Sequence, residues 1–236
     1  GTEKTTISYS TSYTTQAPVK AFRAGNAEDF VDQYLNGDII NSRIAPDYLT
    51  FNPDYFPSTL FKTGGMQDAY DAGLETNWFD LLTNDNAHIV NHNISIAHRN
   101  EHVSTFMSTG YTDQAGYHVG EDYKRWNARL NLENYITDWL TVGVQSFVTS
   151  SDFSGLDISR NSRYLPPVAL AKDENGDLTV NPGGNSTNPL RSIEQTEHTD
   201  TRLNLFGNIY TRIEIPFIEG LSYKVNYTTN YRQQNE

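Results

Sequence analysis

Alternation of apolar and polar residues with a period of two runs through much of the chain. Between 203 and 215 the apolar or small positions are Leu203, Leu205, Gly207, Ile209, Thr211, Ile213 and Ile215; between them stand Asn204, Phe206, Asn208, Tyr210, Arg212 and Glu214. In 123–136, Trp126, Ala128, Leu130, Leu132 and Ile136 alternate with Tyr123, Arg125, Asn127, Arg129, Asn131 and Glu133. In 139–150, Leu140, Val142, Val144 and Val148 alternate with Thr141, Gly143, Gln145 and Thr149. In 221–232, Leu221, Tyr223, Val225, Tyr227 and Tyr231 alternate with Ser222, Lys224, Asn226, Thr228, Asn230 and Arg232. Shorter versions occupy 5–15, 90–98 and 102–113. Successive side chains of a strand point to opposite faces, so this rhythm predicts seven strands, each with one apolar and one polar face.

Soluble antiparallel sheets also alternate, and three features separate the cases. Several runs reach 10–14 residues, against the ~5–6 usual in soluble strands and the ~9–11 needed to cross a bilayer. Connections alternate in length: 16–89, 114–121 and 152–199 on one side, and the turns at 99–101, 137–138 and 216–220 on the other. Long loops at one rim and short turns at the other are the pattern of outer-membrane barrels. Aromatic residues cluster at both ends, with Tyr135, Trp139, Phe217 and Tyr223 beside the short turns and Tyr13, Tyr111, Trp126 and Tyr231 opposite. Two aromatic girdles are the expected result.

The predicted fold is therefore all-β, an antiparallel meander forming part of a large transmembrane β-barrel. Leu130, Leu132, Val142, Val144, Leu205, Ile209, Ile213 and Val225 should face outward, and Arg129, Asn131, Gln145, Asn208, Arg212 and Lys224 inward. All nine prolines lie outside the proposed strands, as expected of a residue that cannot donate to a ladder. One short helix is predicted in the first long loop. There Asn26, Glu28 and Asp29 form an N-terminal cap, and Phe30, Val31, Tyr34 and Leu35 share a face before Gly37. Any helix should be confined to that stretch, near 26–36.

Composition narrows the picture. Hydrophobic residues make up only 36% of the chain while Tyr and Phe number 15 and 11, which suits strands apolar at every second position and not a disordered chain. Cysteine is absent, removing disulfides, thiolate nucleophiles and cysteine metal sites. No stretch approaches the ~18 apolar residues of a membrane helix. Gly1 opens without an initiator Met or a signal-peptide pattern, and the last residues stop inside a strand-like rhythm; both ends read as internal to a longer chain. The net charge is −12, with 11 acids to 4 bases in 16–89 and 7 to 4 in 152–199. Nucleic acid is a poor partner for such surfaces.

Several segments together resemble one family. Asn77-Trp-Phe-Asp80, Asn91-His-Asn-Ile-Ser95, Gly110-Tyr-Thr-Asp-Gln-Ala-Gly116, Lys124-Arg-Trp-Asn-Ala-Arg-Leu-Asn-Leu132 and Asp138-Trp-Leu-Thr-Val-Gly143 resemble consecutive signature segments of the SusC/RagA family of TonB-linked outer-membrane transporters. Gly1-Thr-Glu-Lys-Thr-Thr-Ile-Ser-Tyr9 is similar to that family's junction of plug and first barrel strand, and Asn26–Phe30 to its first-loop helix. The likeness runs in order from residue 1 to about 150 and continues beyond mainly as strand pattern. It implies a barrel of about 22 strands around an N-terminal plug, in the outer membrane of a Gram-negative bacterium. It also implies a SusD-like surface lipoprotein over the barrel mouth, oligosaccharide or peptide cargo, and uptake driven by the TonB complex through the plug. Residues 1–236 would then be a partial barrel domain of about seven strands, without the plug or the remaining strands. No cofactor is implied.

On that reading the inward residues Arg125, Arg129, Arg202, Arg212, Lys224 and Arg232 are candidates for contact with the plug or with passing cargo. The plainer alternative is structural lining, satisfied by water and by acids such as Glu133 and Glu214. Tyr48, Tyr55, Phe56 and Tyr164 are candidates for cargo or lid contact, since aromatic faces stack on sugars and anchor interfaces; loop self-packing is the alternative, above all for Trp78 and Phe79. Asp173-Glu-Asn-Gly-Asp177 offers oxygen ligands for calcium but lacks the full loop and closing Glu, so it reads more simply as a hairpin turn. The histidine pairs His88/His92 and His98/His102 have no carboxylate completing a zinc set. Acidic residues such as Glu121-Asp122 form no recognised catalytic spacing, and no nucleophile or metalloprotease motif occurs. The chain is read as no enzyme. A passive porin or adhesin barrel and a soluble carbohydrate-binding β-sandwich are the rival readings. Within an importer, the two long loops should contact the lid and help close the cargo chamber, with 152–199 the more cargo-variable of the two, and deleting 172–188 should leave the barrel folded but weaken cargo uptake or lid association.

Overall fold

The computed structural model describes residues 3–17, 25–55, 61, 64–155, 165–183, 186–195 and 198–236. Seven strands form one sheet: β1 (Lys4–Thr15), β2 (His88–Arg99), β3 (Val103–Ala115), β4 (Asp122–Thr137), β5 (Leu140–Asp152), β6 (Thr201–Glu214) and β7 (Ser222–Asn235). Their spatial order is their sequence order. Every neighbouring pair is antiparallel, giving the predicted meander.

Register turns seven separate alternations into two continuous faces. Across the middle, Ile7, Ile96, Met107, Leu130, Ser146, Gly207 and Thr229 lie in one lateral row. One step along, the row is Tyr9, Ile94, Thr109, Ala128, Val148, Leu205 and Tyr231. Neither row contains a charge. The opposite face carries Ser8, Ser95, Ser108, Arg129, Phe147, Phe206 and Asn230. Every residue assigned above to the outward or inward side falls on the apolar or polar face accordingly. On the apolar face large side chains stand open, among them Ile7, Ile209, Val225 and Tyr227. So extensive an exposed apolar surface is foreign to a soluble monomer.

The short connections follow from local chemistry. Asn100 makes the β2–β3 turn by accepting from the amides of His102 (2.9 Å) and Val103 (2.8 Å) on its side-chain oxygen. A bulge between Tyr135 and Thr137 leads into the two-residue turn Asp138-Trp139. The β6–β7 turn closes with the Ile215 amide donating to the Leu221 carbonyl at 2.9 Å, helped by Gly220 at φ +79°.

The buried core sits in the loops. All its members except Tyr210 lie outside the strands. Helix α1 (Ala27–Gly37) forms where predicted, with the Asn26 side-chain oxygen accepting from the Asp29 amide at 2.8 Å. Val31 of α1 is buried with Phe61, Met66 and Val168, and Phe30 and Leu35 pack alongside. The expectation that helix ends there does not hold. Short helices α2 (Ile39–Ser42), α3 (Gly64–Asp71) and α4 (Trp78–Leu81) follow in the same loop, and α5 (Pro189–Gln195) lies in the loop between β5 and β6. Their sequences are short and weakly periodic, and proline reads as a breaker. Yet proline suits the first helical position, where its missing N–H costs nothing, and the Asn188 oxygen accepts from the Leu190 amide at 3.1 Å.

The three long connections pack on one another. The Trp78 indole N–H donates to the Ala169 carbonyl at 3.0 Å, and Trp78 and Leu82 are buried with Leu165, Ala169 and Ala171. The Thr76 amide reaches the Pro167 carbonyl at 2.7 Å, and the Val119 amide reaches Leu82 at 3.0 Å. Ile193 of α5 approaches Gly120. Residues nearly 100 apart in sequence thus form one cap at the loop rim.

Candidate functional site

The polar face is the candidate site. It carries all six cations named from the sequence and adds Lys4 and Arg99, which pair with each other and, through Ser104, lie in the row of Glu133. Against these eight bases the strands present two acids, Glu133 and Glu214, a net of +6 on a chain whose total is −12. The apolar face carries Asp113, Asp122, Lys124 and Asp152 alone among strand charges, all at the loop end. Lys4 and Arg99 could have been assigned from the register, but each stands at the end of a strand where alternation is too short to fix a phase.

Toward the short turns the face is tied together around Glu133. Its carboxylate accepts from the Tyr135 hydroxyl at 3.1 Å and from the Tyr210 hydroxyl in a short hydrogen bond. Tyr210 is the one strand residue in the hydrophobic core set. Its ring lies over Gly143, where an added Cβ would come within 2.2 Å of Cζ. The Lys224 ammonium sits 4.2 Å from the centre of the same ring. An aromatic ring covering a strand glycine buries backbone that the missing side chain would expose. Tyr135 was expected in an aromatic girdle. It faces the polar side instead, because it shares its parity with Glu133 and Asn131.

Toward the loops the face changes character. Arg125, Ser151 and Arg202 share a lateral row, and Asn204 and Arg232 share the next. Phe147 and Phe206 stack with ring centres 5.2 Å apart and planes 14° from parallel, in the row of Arg129. Phe106, Ser108, Arg125, Asn127, Arg129 and Phe147 line an open depression of about 460 Å³. Arg202 is held by Asp200 through two hydrogen bonds, of 3.0 and 2.6 Å, and its guanidinium covers Phe153 at 4.5 Å. The Asp200 carboxyl is held below its ordinary range, first by that hydrogen bond and next by the charge of Arg202, against some desolvation. Alternation places Phe147 and Phe206 among polar residues, which is the only sequence signal for the pair.

The loop aromatics divide. Tyr48 is exposed, at φ 54°. Tyr55 donates its hydroxyl to Asp38 at 2.8 Å, an internal loop contact. Phe56 and Tyr164 lie outside the described residues. Trp78 is buried in the loop cap, and Phe79 lies against Tyr117, in line with self-packing. Asp173–Asp177 is a hairpin turn: the Asp173 carboxylate accepts from the amides of Asn175 (2.9 Å) and Asp177 (3.0 Å), with Gly176 at φ +86°. His88 and His92 both lie on the apolar face, stacked on Tyr13 and Tyr9. His98 takes a hydrogen bond with the Thr5 hydroxyl at 2.9 Å. Among the described residues no cluster of His, Asp and Glu gathers to hold a metal, and no helix is long and apolar enough to cross a membrane, which leaves crossing by strands open.

The sheet resembles solved structures over nearly its whole length. It matches a chain in a structure of the RagAB peptide importer in an open-open state with a TM-score of 0.66 and 17% identity, covering 99% of this chain and 28% of that one. A second structure of the RagAB peptide transporter matches with a TM-score of 0.68 and 17% identity, covering 95% of this chain and 28% of that one. No family model and no curated protein matches the sequence. What is shared is the fold. The likeness in fold extends over the whole seven-stranded sheet, which has the architecture of a stretch of the solved RagAB chains it matches. It spans little more than a quarter of the length of the solved chains it matches.

Proposed function

We propose that this chain forms consecutive strands of a TonB-dependent importer in the outer membrane of a Gram-negative bacterium. The apolar face meets lipid, the polar face lines the lumen, and the loop cap sits at the cell surface beneath a SusD-like lipoprotein. The importer carries oligosaccharides or peptides and performs no catalysis. One observation carries this reading above the others. Seven strands of 12–16 residues present an apolar face free of charge except at the loop rim, in a sheet that matches a peptide importer along 99% of the chain. Lipid on one side and water on the other demand that division. The aromatic rims fit the same geometry. Tyr223 and Tyr231 are eight residues apart on the apolar side of β7, roughly 27 Å along a strand, and a strand tilt of about 40° reduces that to about 20 Å of bilayer.

The test uses the transporter that contains this segment. Cells expressing it should accumulate labelled oligopeptides or oligosaccharides when TonB is intact and lose that uptake when TonB is deleted. Uptake that persists without TonB would indicate a passive pore instead. Recovery of the protein in a soluble fraction without detergent would point to a sandwich.

A further inference from the structure

We propose that the loop-side half of the polar face, Arg125, Arg129 and Arg232 beside the stacked pair Phe147 and Phe206, recognises the carboxylates of acidic oligopeptide cargo. The inference deepens the importer reading and rests on it. Its basis is where the positive charge lies. Near the short turns, Lys4, Arg99, Arg212 and Lys224 share the wall with Glu133 and Glu214. Near the loops the strands supply four arginines to the polar face and no acid. Asp200, just outside β6, takes one of them. Arg125, Arg129 and Arg232 remain exposed. A wall that needed only to be wet would serve with the Ser, Thr and Asn that fill β1 and β2. Uncompensated guanidinium groups repel one another, and they gain most from a partner that brings carboxylates in planar, two-pronged contact.

The spacing suits a peptide. Arg125 and Arg129 are four residues apart on one face of β4, about 13 Å. An extended peptide places side chains four residues apart at a similar ~13 Å, so two acids at that spacing could each meet an arginine. The Phe147–Phe206 surface continues the row of Arg129 across β5 and β6 and offers apolar contact to residues beside the carboxylate bound there. The acidic loops above, 16–87, 116–121 and 153–200 with 19 acids and 8 bases, would repel such cargo and favour its transfer to the arginines below.

The test separates this claim from the importer reading by measuring binding apart from uptake. Two fluorescein-labelled eight-residue peptides are used, identical except that one carries two Glu four residues apart and the other two Gln. Binding to the purified full-length transporter in detergent is read by fluorescence anisotropy. The transporter should bind the Glu peptide at least tenfold more tightly, and added salt should erode the difference. Replacing Arg125→Gln with Arg129→Gln should abolish that preference while leaving the Gln peptide within about twofold. Arg125→Lys with Arg129→Lys should retain part of it, because charge survives and the planar fork does not. Heat-modifiable gel mobility checks that each variant is folded. Equal binding of both peptides by the unmutated transporter, binding of neither, or an equal loss for both in the Gln variant would overturn the proposal. The last result would assign the arginines to holding the barrel interior together. Independence of uptake from TonB, with the Glu preference intact, would overturn the importer reading and leave this recognition standing.

Discussion

At the level of single residues, the closest approach to a strand glycine is that of Tyr210 over Gly143. Alternation identified both as polar-face positions, but their contact depends on which residues of β5 and β6 are neighbours, and no local pattern encodes register. Gly143→Ala should destabilise the barrel by about 1–3 kcal/mol, because the new Cβ must displace the ring. In the Tyr210→Ala background the same substitution should cost far less, since the ring is gone. Denaturant unfolding of the four barrels of this cycle measures the coupling, and strict additivity would mean the ring does not rest on the glycine. A second residue-level expectation concerns Asp38, which caps α2. Its carboxyl is held below 3.8, first by hydrogen bonding from the Asn41 side chain and then from the Tyr55 hydroxyl. A depressed carboxylate contributes stability above its unfolded value that is lost as pH falls through the folded value. The α1–α2 corner should therefore stay ordered at pH 4 and loosen only below it. Tyr55→Phe should raise the Asp38 midpoint part of the way back toward 3.8, as read by carboxyl carbon NMR; an unchanged midpoint would show that the hydroxyl does not bear on it.

Among the elements, strands were legible and loop structure was not. Long alternating runs report side-chain direction along their length, so strand number and faces follow from them except at strand ends such as Lys4, Arg99 and Tyr135, and boundaries shift by only a few residues. Helices α2 to α5 span one or two turns, too short for a 3.6-residue period to emerge, and they are held by tertiary contacts such as Trp78 on Ala169. The same contacts change the expectation for deleting 172–188. Asn188 is fully buried, donates to the Ala171 carbonyl at 2.8 Å and caps α5. That deletion would remove a support of the cap along with the exposed hairpin. Replacing only 173–177 with a two-residue turn should leave the cap intact, because Lys172 and Leu178 already form a bridge. Hydrogen exchange at the Trp78 indole reports the outcome. Protection should persist after the short replacement and fall after the long deletion; equal protection in both would show that Asn188 does not hold the cap.

For the whole molecule, charge is sorted by place. The strands and their polar face are cationic, the loops are acidic, and the apolar face is neutral between its rims. A total of −12 hides that sorting: alternation sets six cations inward and composition sets the acids in the loops, while register adds Lys4 and Arg99. The same division underlies the reading of the chain as a membrane barrel, and it can be measured residue by residue. Residues 1–236 contain no cysteine, so single cysteines can be placed in turn from 203 to 214 in the full-length protein once any cysteine elsewhere in it is replaced by serine. With spin labels attached and the protein in lipid bilayers, collision with oxygen reports lipid and collision with a water-soluble nickel chelate reports water. Odd positions such as Leu205→Cys and Ile209→Cys should favour oxygen, and even positions such as Asn208→Cys and Arg212→Cys should favour the chelate, alternating without a break. A flat profile, or one with the opposite phase, would contradict the assignment of the two faces.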